Sequence, residues 1–333
     1  MFRLTLSDRS DSTLLNYTEQ ASIVDLREVR ALDLEALLRE ETADFERELD
    51  WDYSKSADLV RKAADAQSLG GAALCERGEI SGYACASLAG DKALIWDLYV
   101  RPAWRAGTAG AVLFRVLMDA LIGMGLRRIE CQLMLGDAEF AKALQRERSV
   151  QLIERILLRL DEDVLLPSRG VGEGFGFESW ADHADGIDGA AEVIAAAYAG
   201  HVDLGINDEY GTLDGARIHV KNIVDFPGSS TFHAAGSYIA IDINTGMMVG
   251  IALGSFVGAE VGHIAQICVR PEAKGVGVGY ELLRLSIAGL RHRGAKRVSL
   301  TVTATNEGAV RLYLKCGFRE VRRFYAYVWE VSG

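Results

Sequence analysis

The sequence is poor in residues that would place it in a specialised class. It has 4 prolines and 5 cysteines among 333 residues, and no two cysteines form a C-x-x-C pair. This spacing argues against a disulfide framework and against a cysteine-based zinc site, and it favours reduced, buried thiols. We therefore expect a cytoplasmic protein.

Long apolar runs and an excess of positive charge are also missing. No segment reaches the roughly 20 apolar residues that cross a bilayer, and the N-terminal stretch lacks the apolar core of a signal peptide. Lys and Arg number 36 against 47 Asp and Glu, a formal net charge of −11. Because nucleic acids attract basic surfaces, we expect no nucleic-acid partner and no membrane partner.

The segment from His263 to Gly294 combines an apolar strand, a glycine-rich loop and an amphipathic helix. Ile264–Val269 is an apolar run of strand length. Lys274-Gly275-Val276-Gly277-Val278-Gly279 follows, and leucines at helical spacing lead to Gly294, a predicted helix C-cap. Glycines allow a ligand to approach unpaired N–H groups at a helix start, so this pattern predicts an anion site, with a diphosphate as the expected ligand.

The glycine spacing separates this loop from two common nucleotide-binding loops. A dinucleotide fingerprint needs an acidic residue after the next strand, which Arg297–Thr303 lacks, and a P-loop needs Gly-Lys-Ser/Thr. The loop instead resembles motif A of the GNAT acetyltransferase superfamily, Q/R-x-x-G-x-G/A after a Val-x-Pro step, except that Lys274 replaces Gln or Arg. The downstream segment Asn306–Phe318, NEGAVRLYLKCGF, resembles the N-x-x-A-x-x-L-Y-x-x-x-G-F signature of the same family.

An internal repeat extends this resemblance to the first half of the chain. Placing Val100 opposite Val269 (269 − 100 = 169) aligns two Val-Arg-Pro steps and keeps leucines, arginines and two glycines in register. The chain therefore resembles a tandem GNAT protein. We expect an α/β protein of two tandem GNAT folds, residues 1–168 and 169–333, each a mixed, mostly antiparallel twisted sheet flanked by helices.

Local patterns predict the principal elements. Helical periodicity covers Asp33–Asp50 and Lys55–Gln67, and the run Glu147–Asp161 also has a helical pattern. A strand is predicted at Gly71–Glu76. The turn Asn244-Thr245-Gly246 between two alternating runs predicts a hairpin in the second half.

The two copies differ at the positions that the family uses for chemistry. Thr108 stands where the second copy has Gly277. No tyrosine lies opposite Tyr313, since Leu144 takes that place in the ungapped register and Ile153 in a shifted one. All 6 histidines belong to the second half. We therefore predict that the first domain is a degenerate copy and that the second is catalytic.

The resemblance implies acetyl-CoA as co-substrate and no metal. The pyrophosphate would bind the backbone of the glycine loop, and the pantetheine arm would pair with the strand before it. The implied cofactor-binding residues are Ile267, Cys268, Val269, Lys274, Gly275, Val276, Gly277, Val278, Gly279, Asn306 and Tyr313. The N–H of Val269 would polarise the thioester carbonyl while an amine attacks it directly.

Three side chains are candidates for proton transfer. Tyr313 occupies the family position that protonates the departing thiolate, and its alternative role is packing. His263 stands where some relatives have a glutamate base; an imidazole with a pKa near 6.5 suits that role and predicts an acid limb near pH 6–7. The alternative for His263 is a plain strand histidine, in which case Glu260 is the fallback base.

The loop from His201 to Tyr210 usually shapes the acceptor pocket in this family. Its His201, Asp203, Asp208 and Glu209 would either hold a cation or form solvated surface. The predicted function is transfer of an acetyl group to a small-molecule or peptide amine, and the alternative is a non-catalytic acyl-CoA sensor. The acceptor stays unnamed, and a monomer and a homodimer both stay open.

Overall fold

The computed structural model describes residues 21–102, 109–136, 141, 142, 145, 150–183, 186–225 and 230–330. The chain divides into two compact units. The first takes its residues from Met1–Glu48, Tyr53–Ile153 and Phe324–Gly333, and the second from Leu49–Asp52 and Glu154–Arg323. Thr108 and Leu144, which entered the comparison of the two copies, lie outside the described residues.

Most described residues lie in strands and helices. The strands are β1 (Ala21–Asp25), β2 (Gly71–Glu76), β3 (Glu79–Ala89), β4 (Lys92–Val100), β5 (Arg128–Leu133), β6 (Gln151–Leu160), β7 (Phe175–Ser179), β8 (Thr231–Phe232), β9 (Tyr238–Asp242), β10 (Met248–Gly258), β11 (Val261–Val269), β12 (Arg297–Thr303) and β13 (Arg319–Glu330). The helices are α1 (Ala31–Leu49), α2 (Ser54–Asp65), α3 (Ala109–Gly123), α4 (Gly186–Tyr198), α5 (Leu213–Asp225), α6 (Val278–His292) and α7 (Glu307–Lys315).

The first unit is a sheet with helices on both faces. Its strand order is β1-β2-β3-β4-β5-β13, and only β4 and β5 are parallel. Side chains of α1 and α2, such as Leu38 and Val60, pack with Tyr83 and Tyr99 in one core. The apolar α3 fills a second core. Alternating side chains of each strand supply both cores, as the two-residue period of a strand requires.

The second unit repeats this plan. Its strand order is β6-β12-β11-β10-β9-β7, with β8 paired to β10, and only β11 and β12 are parallel. One core joins α4 and α5 to the sheet. Another core packs α6, through Leu283, Ile287 and Leu290, beside Tyr313 of α7. These two units give the predicted α/β architecture of two tandem, mostly antiparallel sheets.

The helix predicted for Glu147–Asp161 is wrong. Its described part from Gln151 to Leu160 is strand β6, which pairs antiparallel with β12 from Arg155–Thr303 to Leu160–Val298. Buried Ile156, Leu158 and Leu160 point into the core of α6 and α7. A short apolar run fits both the helical and the strand periodicity. The edge of β12 would be unpaired without β6, and this favours the strand.

Each unit takes a strand from the other side of residue 168. The second unit begins its sheet with Glu154–Leu160, and the first unit ends its sheet with Phe324–Glu330, which pairs with β5. A chain cut after residue 168 would therefore separate β6 from β12 and β13 from β5. The domain boundary at 168 and 169 stays a prediction.

A shared irregularity supports the repeat. The pairing of β10 with β11 shifts register at Ala265, and the pairing of β3 with β4 shifts at Trp96. The parallel pairing ends at Ile264 in one unit and at Ile95 in the other. Both pairs of positions keep the 169-residue offset found in the sequence (265 − 96 = 169; 264 − 95 = 169). The predicted hairpin turn is also confirmed, with Gly246 at φ 71° between β9 and β10.

Candidate active site

The second unit has an opening in its sheet beside β11. Residues Val261–Ile264 of β11 pair with β12. Ala265 is skipped at the register shift, and among the described strands Gln266–Val269 pair only with β10 on the other side. The register shift at Ala265 coincides with this divergence. One edge of β11 is therefore free to receive an extended ligand by backbone pairing. This segment contains Ile267, Cys268 and Val269, the strand residues predicted to hold the pantetheine arm.

The loop after β11 presents a row of backbone donors. Gly275 and Gly277 adopt φ values of 82° and 96°, which favour glycine, and Gly277 caps α6. From Gly275 to Tyr280 no backbone N–H donates to a residue that the structure describes. The N–H groups of Lys274 and Glu281, on either side, are both bonded. This row joins the positive end of the α6 dipole and forms a nest for an anion.

Tyr313 lies near the open strand. It is 7% exposed, belongs to the same core as α6, and its ring is 5.8 Å from that of Phe318. Burial raises its pKa, and the negative charge of Asp203 raises it further. Ile267 of the open strand packs against the same core. The phenol therefore keeps its proton at neutral pH and can act as a proton donor near the open strand.

A polar chain that the sequence reasoning missed approaches β11 from the opposite face. Gln266 is 5% exposed, and its Nε2 donates to the hydroxyl of Tyr198 at 2.8 Å. Its Oε1 lies 3.2 Å from Nε2 of His219. One signal was available, because Gln266 interrupts an otherwise apolar strand. Tyr198 and His219 lie on distant helices and belong to no motif.

Comparison with known proteins decides the family. The model of the acetyltransferase (GNAT) family matches residues 30–144 and 212–318. The chain belongs to this family. The matched regions contain both β4 and β11 with their divergent parallel partners, so the enzyme is a tandem GNAT acetyltransferase.

Two curated relatives of this GNAT protein are both named mycothiol acetyltransferase. It is 29% identical over 250 residues to the mycothiol acetyltransferase of Actinosynnema mirum. The aligned region covers 72% of this chain and 77% of the relative. It is 28% identical over 232 residues to the mycothiol acetyltransferase of Renibacterium salmoninarum, covering 67% and 63% of the two chains.

Solved GNAT structures share the fold over nearly the whole chain. A GCN5-related N-acetyltransferase from Sphaerobacter thermophilus superimposes with a TM-score of 0.70 at 18% identity, covering 95% of this chain and 97% of the other. A tandem GNAT protein from the clavulanic acid biosynthesis pathway gives a TM-score of 0.60 at 14% identity, covering 94% and 99%. These likenesses establish the tandem architecture.

His263, in the second unit, is more deeply buried than the sequence analysis assumed. It is 8% exposed, its Nδ1 lies 2.9 Å from Oγ of Ser299, and its ring meets Trp51 edge-on at 5.0 Å. Burial lowers its pKa to about 4, and the positive charge of Arg155 acts in the same direction. The expected acid limb near pH 6–7 is therefore wrong in position. A neutral His263 prevails at pH 7.

The correction gives a sharper pH prediction. If His263 accepts the amine proton, it fails as a base only when protonated, so its own loss of kcat/KM should begin below about pH 4, in addition to the decline with falling pH that protonation of the amine causes. His263→Ala should remove that limb and leave the rise with pH that reflects free amine. A pH–rate series on parent and variant with one acceptor measures this. Superimposable profiles would assign His263 to packing.

The structure does not bring Glu260 to the opening. Glu260 lies in the turn before β11, with its side chain 47% exposed and 2.6 Å from Nζ of Lys296. Val269 lies at the other end of β11, roughly 25 Å away at 3.3 Å per residue. Glu260, the fallback base, thus faces solvent at the end of β11 that is distant from Val269.

The predicted acidic cluster has structural partners instead of a free cation site. The hydroxyl of Thr303 donates to the carboxylate of Asp203, and the Arg155 guanidinium lies 3.9 Å from it. Asn306 caps α7 by accepting from Ala309 N–H at 3.3 Å, and its Nδ2 lies 3.2 Å from Nε2 of His201. The signature asparagine therefore joins α7 to the loop. Its cofactor contact stays a prediction.

In the first unit, buried side chains occupy the position that corresponds to Gln266. Asp97, at the position of Gln266, is 6% exposed and accepts a hydrogen bond from the hydroxyl of Tyr53. The hydroxyl oxygen of Tyr83 lies 2.8 Å from Oδ2 of Asp97 and 2.6 Å from Oε2 of Glu41, and its single proton can be donated to either carboxylate. Burial raises the pKa of Asp97 against the opposing effect of these tyrosines. A packed tyrosine–carboxylate cluster thus occupies the place where the second unit has its polar chain.

Among the described residues no group of His, Cys, Asp and Glu has the geometry to hold a metal ion. The helices within the described ranges likewise include none with the length and apolarity needed to span a bilayer.

Proposed function

We propose that the second unit transfers an acetyl group from acetyl-CoA to a primary amine by direct attack in a ternary complex. One observation carries the proposal: the N–H groups from Gly275 to Tyr280, which donate to no described residue, follow the open edge of β11 after a short turn at Pro271–Ala273. A ligand with a diphosphate at one end and a hydrogen-bonding extended arm at the other fits this sequence of features. Acetyl-CoA has that shape and charge.

In this proposal the backbone holds the donor. The pyrophosphate binds the N–H groups at the α6 start, and Lys274 adds a positive charge at the entrance of the loop. The arm follows Ala265–Val269, which places the thioester near Cys268 and Val269. The N–H of Val269 polarises the carbonyl, and its fixed position stabilises the developing oxyanion without reorganisation.

The chemistry then needs one proton donor and a free amine. The amine nitrogen attacks the carbonyl carbon, the C–S bond breaks, and Tyr313 gives its proton to the thiolate. The surplus proton of the attacking nitrogen passes to His263 or to water, and a proton from solvent restores the Tyr313 phenol. Burial raises the pKa of Tyr313, which keeps that proton available until the thiolate forms. Cys268 takes no covalent part, because burial raises the pKa of its thiol to about 12.

An acceptor screen tests the proposed function. The intact chain is incubated with acetyl-CoA and a panel of amines, and conversion to CoA is followed by chromatography. The shared name of the curated relatives adds the free-amine form of mycothiol to the panel. Amine-dependent CoA formation supports the proposal. Acetyl-CoA binding without conversion for any amine would favour the sensing function instead.

The unequal units predict one acetyl-CoA per chain. The donor row and Tyr313 belong to the second unit, and the first has the packed Asp97 cluster in the corresponding region. Titration calorimetry with CoA should give a stoichiometry near one. Asp97→Asn, which keeps the shape of that cluster, should leave the stoichiometry unchanged. Two equivalent sites would contradict the assignment.

A further inference from the structure

The amide of Gln266 connects two side chains from different helices. Gln266 follows Ala265, where β11 leaves β12, and its side chain is buried. Both ends of the amide are engaged, Oε1 with His219 at 3.2 Å and Nε2 with Tyr198 at 2.8 Å. The amide is therefore fixed at the opening of the sheet.

The chain of hydrogen bonds has a direction. Burial lowers the pKa of His219 to about 4, so its ring is neutral at pH 7 and carries one proton. With Oε1 facing the ring, Nε2 of His219 donates to Gln266, and Gln266 donates in turn to Tyr198. The Tyr198 oxygen is then an acceptor, and its own O–H is left to donate elsewhere. No described residue accepts that proton.

Tyr198 and Tyr313 pack beside neighbouring residues of β11. The core that includes Tyr198 also includes Cys268, and the core that includes Tyr313 also includes Ile267. Tyr313 belongs to the core of α6 and α7, whereas Tyr198 packs with α4 and α5. If Tyr313 meets the sulfur of the donor, Tyr198 is on the side left for the acceptor.

We infer that Tyr198 binds the acyl acceptor by donating a hydrogen bond to an oxygen close to its amino group. This inference rests on the proposed function. A donor hydrogen bond to the amine itself would occupy the lone pair that must attack, so the recognised atom is a neighbouring hydroxyl or carbonyl oxygen. The structure thus points to oxygen-bearing amines, such as amino alcohols, over plain alkylamines. Gln266 is the positioning residue.

A matched pair of probes tests this preference. Ethanolamine and 1-aminopropane differ by a hydroxyl in place of a methyl group. The ratio of their kcat/KM values is measured for the parent and for Tyr198→Phe. We expect the preference for ethanolamine to fall about 10-fold in the variant. Comparing ratios between variants cancels the different basicity of the two amines.

Two further variants separate recognition from packing. Gln266→Met removes the amide that directs Tyr198, so it should lose the preference as well. Tyr210→Phe keeps the ring that stacks 4.5 Å from Tyr198 and should retain it. Turnover of both probes with an unchanged ratio in Tyr198→Phe overturns the inference alone. Binding of acetyl-CoA without turnover of any amine in the acceptor panel overturns the proposed function, and the inference with it.

Discussion

Replacing Gly277 by valine is expected to abolish acetyl-CoA binding. Gly277 has a φ of 96°, and a Cβ there would lie 3.1 Å from the carbonyl oxygen of Gly170. A branched residue disfavours this conformation by about 1–2 kcal/mol, and relief of the contact requires the backbone to move. Movement of Gly277 misaligns the N–H row that holds the pyrophosphate. We expect the Kd measured by calorimetry to rise at least ~100-fold.

Gly294 provides the matched control at the other end of α6. Its φ is 100°, and nothing lies within 4 Å of its added Cβ. Gly294→Val therefore introduces the same backbone strain without approaching the loop. Both variants should lose similar thermal stability, and only Gly277→Val should lose binding. Equal loss of binding in the two variants would attribute the effect to strain in α6.

Removing the hydroxyl of Tyr313 should slow the reaction without weakening donor binding. Phenylalanine preserves the buried ring and its contact with Phe318, but it cannot protonate the thiolate. We expect kcat to fall by roughly 10²–10⁴-fold while the Kd for acetyl-CoA changes little. Steady-state kinetics with one accepted amine and calorimetry with CoA measure the two effects.

Tyr99 supplies a comparison that tests for a general effect of losing a buried hydroxyl. It is 2% exposed and donates to Asp44 at 2.8 Å in the first unit. Tyr99→Phe should cost about 1 kcal/mol of stability and leave kcat unaltered. Unchanged turnover in Tyr313→Phe would return Tyr313 to a packing role.

Local signals correctly predicted the strand, the glycine turn and the helix around Gly277. The alternating glycines, the apolar strand before them and the leucine stripe after them are all determined within about 30 neighbouring residues. Gly275 and Gly277 need positive φ values, and the N–H row follows from the way a helix begins. The repeat offset was equally local, because it compares residue types at fixed spacing. The structure adds the register shifts at Trp96 and Ala265.

Burial altered the chemistry predicted for single residues. The sequence shows an imidazole at position 263, but Trp51, Ser299 and nearby Arg155 determine that its pKa is about 4. The sequence left open a cation site in the acidic loop. In the structure Arg155 and Thr303 lie beside Asp203. These partners come from other strands, so no local pattern announces them.

The sequence alone determined the family, the tandem plan and the glycine loop that we propose as the anion site, because each depends on residues close together in the chain or at one constant offset. Only the tertiary structure decided that Gln151–Leu160 is a strand and that Phe324–Glu330 completes the first unit. It also decided that Gln266 joins Tyr198 to His219. The reason is physical: strand pairing, desolvation and hydrogen-bond direction depend on partners that folding brings from distant positions.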